Sequence, residues 1–176
     1  WIHIVFSVPD PARAYATLAS VLLVEPSCAN VRMGDVLPRA RAAAERAVAL
    51  SQDSPEAHLA LGHAHVEAFE WSDAETELRR ALALNPNLAE ASYRLGFMYL
   101  TTARLSEAIP ALERSKAIDP LYAIPAAYLG WGLALSVHGP EGVTVSRRAV
   151  VLDCVSAAVL NIFASTLLAA VRVDEF

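Results

Sequence analysis

Two cysteines, Cys28 and Cys154, are all that the 176 residues contain, and they lie far apart. They form no metal-binding spacing and read as unbridged, which fits a reducing compartment and makes the cytoplasm the expected location. Net positive charge is also missing. The balance is −5, so nothing draws the whole molecule to nucleic acid or to acidic lipid. The basic pairs Arg79-Arg80 and Arg147-Arg148 read as solvated helix faces. There is no glycine-rich phosphate loop, and no Ser, Cys or Lys stands in a recognisable nucleophile setting. Catalysis is not expected, and no cofactor is implied. A single long apolar run, Val155 to Val171, approaches the length of a membrane span. Ser156, Asn161, Ser165 and Thr166 interrupt it, and a helix packed on its neighbour is the better reading. The chain opens at Trp1 and stops at Phe176 within a helical pattern, and so reads as a fragment of a longer frame.

What is present is a period. Leu61-Gly62, Leu95-Gly96 and Leu129-Gly130 recur every 34 residues. Ala74 and Ala108, Ala81 and Ser115, and Pro86 and Pro120 keep the same spacing. A fixed period of this length, with small residues at set offsets, is the mark of stacked helix pairs. On these residues the chain resembles the tetratricopeptide repeat family over about nine-tenths of its length. The resemblance implies an all-α, right-handed solenoid of antiparallel helix pairs, forming a single domain over 1–176.

Within that frame, 1–11 is the stub of an earlier helix or an arm, with Trp1 to Val8 open to either reading. Repeats follow at 12–54, 55–88, 89–122 and 123–156, with a C-terminal helix over 157–176. Ser54 reads as an N-cap and Pro55 as the first helical residue of repeat 55–88. Its second helix runs from Ser72 to Leu84 and stops at Asn85-Pro86-Asn87. The next repeat predicts helices over 89–102 and 105–118, with Pro110 in the tolerated first turns. Upstream, Ala12 to Val24 and Val36 to Leu50 read as a pair with an enlarged loop around Glu25 to Asp35. In 123–156, Gly142 takes the alanine position and Gly139-Pro140 interrupts the turn. Val143, Thr144, Val145, Val150 and Val151 are weak helix formers, so this pair is expected to be the least stable and to act as a hinge.

The resemblance also implies a concave groove lined by the first helix of each repeat, holding a protein or peptide partner. Carried over, its positions are Leu59, His63 and Glu67, then Tyr93, Arg94, Phe97 and Leu100, then Tyr128 and Trp131. Tyr93, Phe97, Tyr128 and Trp131 have the composition of a binding hot spot, with packing between repeats as the alternative for some of them. The chaperone-tail subclass of the family needs Lys and Asn clamps, of which only Arg94 has a counterpart, so that partner is not expected. His63 and Glu67 share a helix face, but two ligands make no selective metal site, and none is expected.

A second reading is self-association through uncapped ends, at Leu160, Phe163 and Leu167, to give a homo-oligomer. A third rests on Pro38-Arg39-Ala40-Arg41-Ala42-Ala43-Ala44 with Trp71 before Ala74. That stretch is similar to repeat regions of bacterial signalling proteins and implies a sensory fragment of a regulator.

Overall fold

A computed structural model describes residues 10–28, 31–136 and 138–173. The stub expected over Trp1 to Val8 lies outside the described residues. Among those described, every element is helical. In chain order they are α1 Pro11–Cys28, α2 Met33–Leu50, α3 Pro55–Glu67, α4 Trp71–Leu84, α5 Ala89–Thr101, α6 Leu105–Ile118, α7 Ala123–Leu135, α8 Gly139–Leu152 and α9 Ala157–Val173. The chain divides into two compact units, one ending at Ala91 and the other beginning at Ser92, inside α5.

Local chemistry accounts for the helix ends. The Asp10 carboxylate accepts from Arg13 N–H at 3.1 Å and opens α1. The Ser54 hydroxyl accepts from Ala57 N–H at 3.2 Å, with Pro55 at the first helical position, where a missing donor costs nothing. α4 and α6 stop alike, because Asn85 and Asp119 accept from the backbone two residues on, at 3.0 and 3.1 Å. These side-chain turns leave the following proline, Pro86 or Pro120, outside the helix.

In the first unit α1 packs on α2 and α3, α2 on α3, and α3 on α4. The contact among α1, α2 and α3 is built of Ala16, Ala19, Ala43, Ala44, Ala47, Ala57 and Ala60, closed by Leu61. Side chains this small let helix backbones approach closely, and their burial removes apolar area from water at about 25 cal/mol per Å². The enlarged loop expected around Glu25 to Asp35 is instead helix on both sides, because α1 runs on to Cys28 and α2 starts at Met33. Of the extra residues, Met33 at the start of α2 carries a core contact. Leu22 and Leu23 join Ala40 and Ala64 in a buried cluster, and Met33 and Leu37, one turn apart, pack against it.

In the second unit α7 packs on α6, α8 and α9, and α9 also packs on α8. Gly139-Pro140, expected to interrupt a turn, opens α8 with proline in its first turn.

The recurring Leu-Gly pairs mark where helices cross. A Cβ added at Gly62 would lie 2.8 Å from Leu78, and one at Gly96 2.5 Å from Leu112. Leu78 and Leu112 are fully buried and hold the same register position. In the next pair that position is Ser146, and the alanine before it is Gly142. α7 and α8 therefore meet backbone to backbone. A Cβ on Gly130 would stand 2.6 Å from the Gly142 carbonyl, and one on Gly142 2.4 Å from the Gly130 carbonyl. The pair expected to be weakest thus holds the tightest glycine contact described. Ser146 and Thr166, both fully buried, share a hydroxyl–hydroxyl hydrogen bond of 3.2 Å that ties α9 to α8. Among the described residues no helix is long and apolar enough to cross a membrane, including α9.

Gly142→Ala is expected to destabilise the protein by about 3 kcal/mol, because backbone rather than a movable side chain must yield. Gly34→Ala, where nothing lies within 4 Å, is expected to stabilise by about 0.5 kcal/mol through helix propensity. Urea unfolding of both variants against the parent checks the contrast.

Candidate functional site

Tyr93 and Phe97 stand four residues apart on α5, and Tyr128 and Trp131 three apart on α7, so each pair shares a helix face. The second unit brings the two faces together. Tyr93 stacks on Tyr128 at 5.8 Å between ring centroids, and Phe97 meets Tyr128 edge-on at 5.1 Å. Tyr128 and Trp131 are 6.3 Å apart, while Tyr122, at the entry to α7, meets Tyr93 at 5.7 Å. The Arg94 guanidinium lies 4.9 Å from the centre of the Tyr93 ring, within cation–π range.

Burial separates these residues into two groups. Tyr93 and Leu100 are buried, and Leu100 comes so near α7 that a Cβ on Gly132 would touch it at 3.0 Å. Phe97, Tyr128 and Trp131 are half-buried. Tyr128 and Trp131 rest on a cluster of Ala123, Ala126, Ala127, Ala149, Val159 and Ile162, which fixes their rings from below. The result is a strip of three partly open aromatic rings, Phe97 and Trp131 each meeting Tyr128, with Tyr128 and Trp131 on an apolar floor.

The groove residues expected from the first unit are placed differently. Leu59 and His63 are buried, and His63 Nε2 lies 3.3 Å from Glu67 Oε1. Glu67 is half-buried and lines a cleft of about 680 Å³ with Met33, Leu37, Pro38, Arg41, Phe69 and Glu70. Sequence reasoning had no reason to collect these residues, which come from the start of α2 and the α3–α4 turn. Phe69 is 73% exposed, adopts a left-handed φ of 61°, and meets Trp71 edge-on at 5.5 Å. Ala103, one period later, has a φ of 58°. The turn thus demands a left-handed residue at a fixed offset, and no glycine advertises it.

Glu70 takes a hydrogen bond from Arg41 and faces His65 Nδ1 at 2.6 Å. The His65 hydrogen bond first, then that of Arg41, holds its carboxyl below the usual carboxylate range. Among the described residues, His65, Glu70 and Asp73 bring ligand atoms within 4.8 Å of one another, close enough to meet one metal ion. The Arg41 cation already sits on Glu70 Oε2, the oxygen that also faces His65 Nδ1.

This architecture is that of an all-α helical-repeat protein, a class whose members present helix faces to partners. Residues 55–98 match the family model described as Tetratricopeptide repeat, so this stretch of the chain is similar to that family. The fold of the chain resembles TTC0263, a thermophilic TPR protein of Thermus thermophilus, with a TM-score of 0.76 and 18% identity over 93% of this chain and 85% of that one. It also resembles pilF of Pseudomonas aeruginosa, with a TM-score of 0.72 and 20% identity over 93% of this chain and 73% of that one. A further likeness is to YrrB, a TPR protein with an unusual peptide-binding site, at a TM-score of 0.64 and 17% identity over 99% and 88% of the two chains. No curated protein matches the chain in sequence. Repeats of this family serve protein–protein interaction and are generally not catalytic.

The lowered pKa of Glu70 means that its ionised form stabilises the fold above the ordinary carboxylate range, and that this stability is lost as pH falls through the depressed value. Glu70→Gln is therefore expected to lower the Tm at neutral pH, with the gap to the parent closing as the solution is acidified. Thermal unfolding followed by circular dichroism across that range checks the sign.

Proposed function

We propose that the chain is a non-enzymatic binding module that holds a peptide or partner helix against the aromatic strip of its second unit. One observation carries this reading: Phe97, Tyr128 and Trp131 are half-open rings, Tyr128 meeting both of the others, with Tyr128 and Trp131 packed on a buried apolar cluster. Rigid aromatic groups bury large apolar area at small entropic cost, which is how interface hot spots gain their energy. Tyr93 and Leu100 support the strip from within, and Arg94 places a cation beside the Tyr93 ring. A partner that fits would offer apolar or aromatic side chains at helical or extended spacing. The peptide-binding site of YrrB supports the mode of action in general terms. Leu59 and His63 enter this reading as buried support, and Glu67 as a polar group on the wall of the first unit's cleft.

Peptides selected against the protein from a random displayed library provide the ligand for the test. Phe97→Ala is expected to weaken their binding about 30-fold, corresponding to about 2 kcal/mol for a hot-spot aromatic, with helicity unchanged. Trp131→Ala is expected to weaken binding similarly but also to lower stability, because its ring packs on the alanine cluster. Binders whose affinity survives Phe97→Ala would remove the strip from the assignment.

A further inference from the structure

The residues of α9 expected to self-associate are partly open, Leu160 at 42% and Leu167 at 40% exposed with Phe163 half-buried, but no charge from Ala157 to Val171 selects what would meet them. The cleft of the first unit does carry a selective charge pattern, and its shape begins with spacing along α2. Met33, Leu37, Arg41 and Glu45 follow one another four apart and form one row on its wall, apolar at the start of the helix and charged further on. Gly34, Pro38 and Ala42 make the adjacent row, where no long side chain fills the space. A Cβ added at Gly34 would meet nothing within 4 Å. Met33 and Leu37 are half-buried, since they pack on the core cluster and still line the cleft. The facing wall is the α3–α4 turn, with Glu67, Phe69 and Glu70.

Phe69 is the part of that wall which the fold does not require. The turn needs a left-handed backbone at this offset, and Ala103 meets the same need one period later with a φ of 58°. Bulky residues adopt that conformation rarely, yet here it carries an aromatic ring that is 73% exposed. An exposed ring beside a polar rim is the make-up of an interaction surface, not of a core. The charges then decide what it meets. Glu45, Glu67 and Glu70 share the cleft with one cation, Arg41, which already bonds Glu70. His63 lies against Glu67 and His65 against Glu70, and with histidine counted as neutral the lining is two charges negative. An anionic partner would meet three carboxylates and a guanidinium that is already engaged. A wholly apolar partner would take those carboxylates out of water without pairing them. We propose that this cleft is a second docking site, and that it takes a peptide segment of a partner protein in which a lysine or arginine stands beside a bulky apolar residue. The apolar side chain covers Met33 and Leu37, and the cation pairs with the glutamates and the face of the Phe69 ring. The site lies wholly within the first unit and does not depend on the aromatic strip.

The test is a subtractive selection with a random displayed heptapeptide library. The library is first passed over the full chain carrying Phe69→Ala with Glu45→Lys, which keeps the aromatic strip and loses the chemistry of the cleft, and is then selected on the parent. The double variant is expected to keep its helicity, because both side chains are exposed and Ala103 shows that alanine suits the turn. Recovered peptides are expected to be enriched in lysine or arginine within two residues of leucine, isoleucine, methionine or phenylalanine. Made as free peptides, they are expected to bind each single variant about 10-fold more weakly than the parent, and to bind the parent more weakly as salt is raised. Recovery of no peptide overturns the proposal. So does recovery of acidic or wholly apolar sequences, or an affinity that Glu45→Lys leaves unchanged. None of these outcomes bears on the Phe97→Ala test of the strip, so the two readings fail separately.

Discussion

The distance between two helix backbones at a crossing is the constraint on which the rest of this molecule rests. Where α3 meets α4 and α5 meets α6, a glycine receives a buried leucine, and the helices stand off by that side chain. Where α7 meets α8, glycine meets glycine and the carbonyls themselves set the limit. The positions of the aromatic rings on α5 and α7 follow from how these helices are seated on their partners. The Tyr128 and Trp131 rings are held because α7 is held, by α8 on one side and by α9 through Val159 and Ile162 on another. For the strip to bind as proposed it needs such support, since rings free to move would lose rotamer entropy on meeting a ligand.

The intrinsic preference of α8 and its observed packing pull in opposite directions. Its valines and threonine are poor helix formers, yet Gly142, Ser146 and Ala149 are all buried against neighbours. Ser146 gains a hydroxyl partner from Thr166 in a place where an unpaired hydroxyl would cost about 1 kcal/mol or more, on the order of a lost hydrogen bond. Tertiary contact decides the outcome, as it commonly does for helices near the lower limit of propensity.

The 34-residue recurrence made the middle of the fold legible, because glycine, alanine and proline at fixed offsets each carry a distinct geometric demand. Ser54-Pro55 placed the start of α3 directly. The α1–α2 connection was misjudged because residues outside the period gave no measure of where helix stops, and the apolar contacts of Leu22, Leu23 and Met33 are long-range. The candidate site was only partly legible. Helical spacing put Tyr93 with Phe97 and Tyr128 with Trp131, but it does not reveal which rings remain open, so the burial of Tyr93, Leu59 and His63 came from the structure. The left-handed backbone of Phe69 carries no sequence signal, and with it went the cleft beside Arg41 and Glu70.

The change from leucine to serine at position 146 has a consequence for how the chain finds its own pairing. Near-identical helix pairs invite an exchange, in which α6 and α8 would each dock on the other's first helix. Such an exchange would press Leu112 onto Gly130, where the native partner offers only a serine, and would leave Ser146 over Gly96 with a void the size of most of a leucine side chain. A void of that kind costs about 2–5 kcal/mol, a large part of what holds a small domain together. The odd crossing thus works as a key, telling otherwise interchangeable pairs apart during folding.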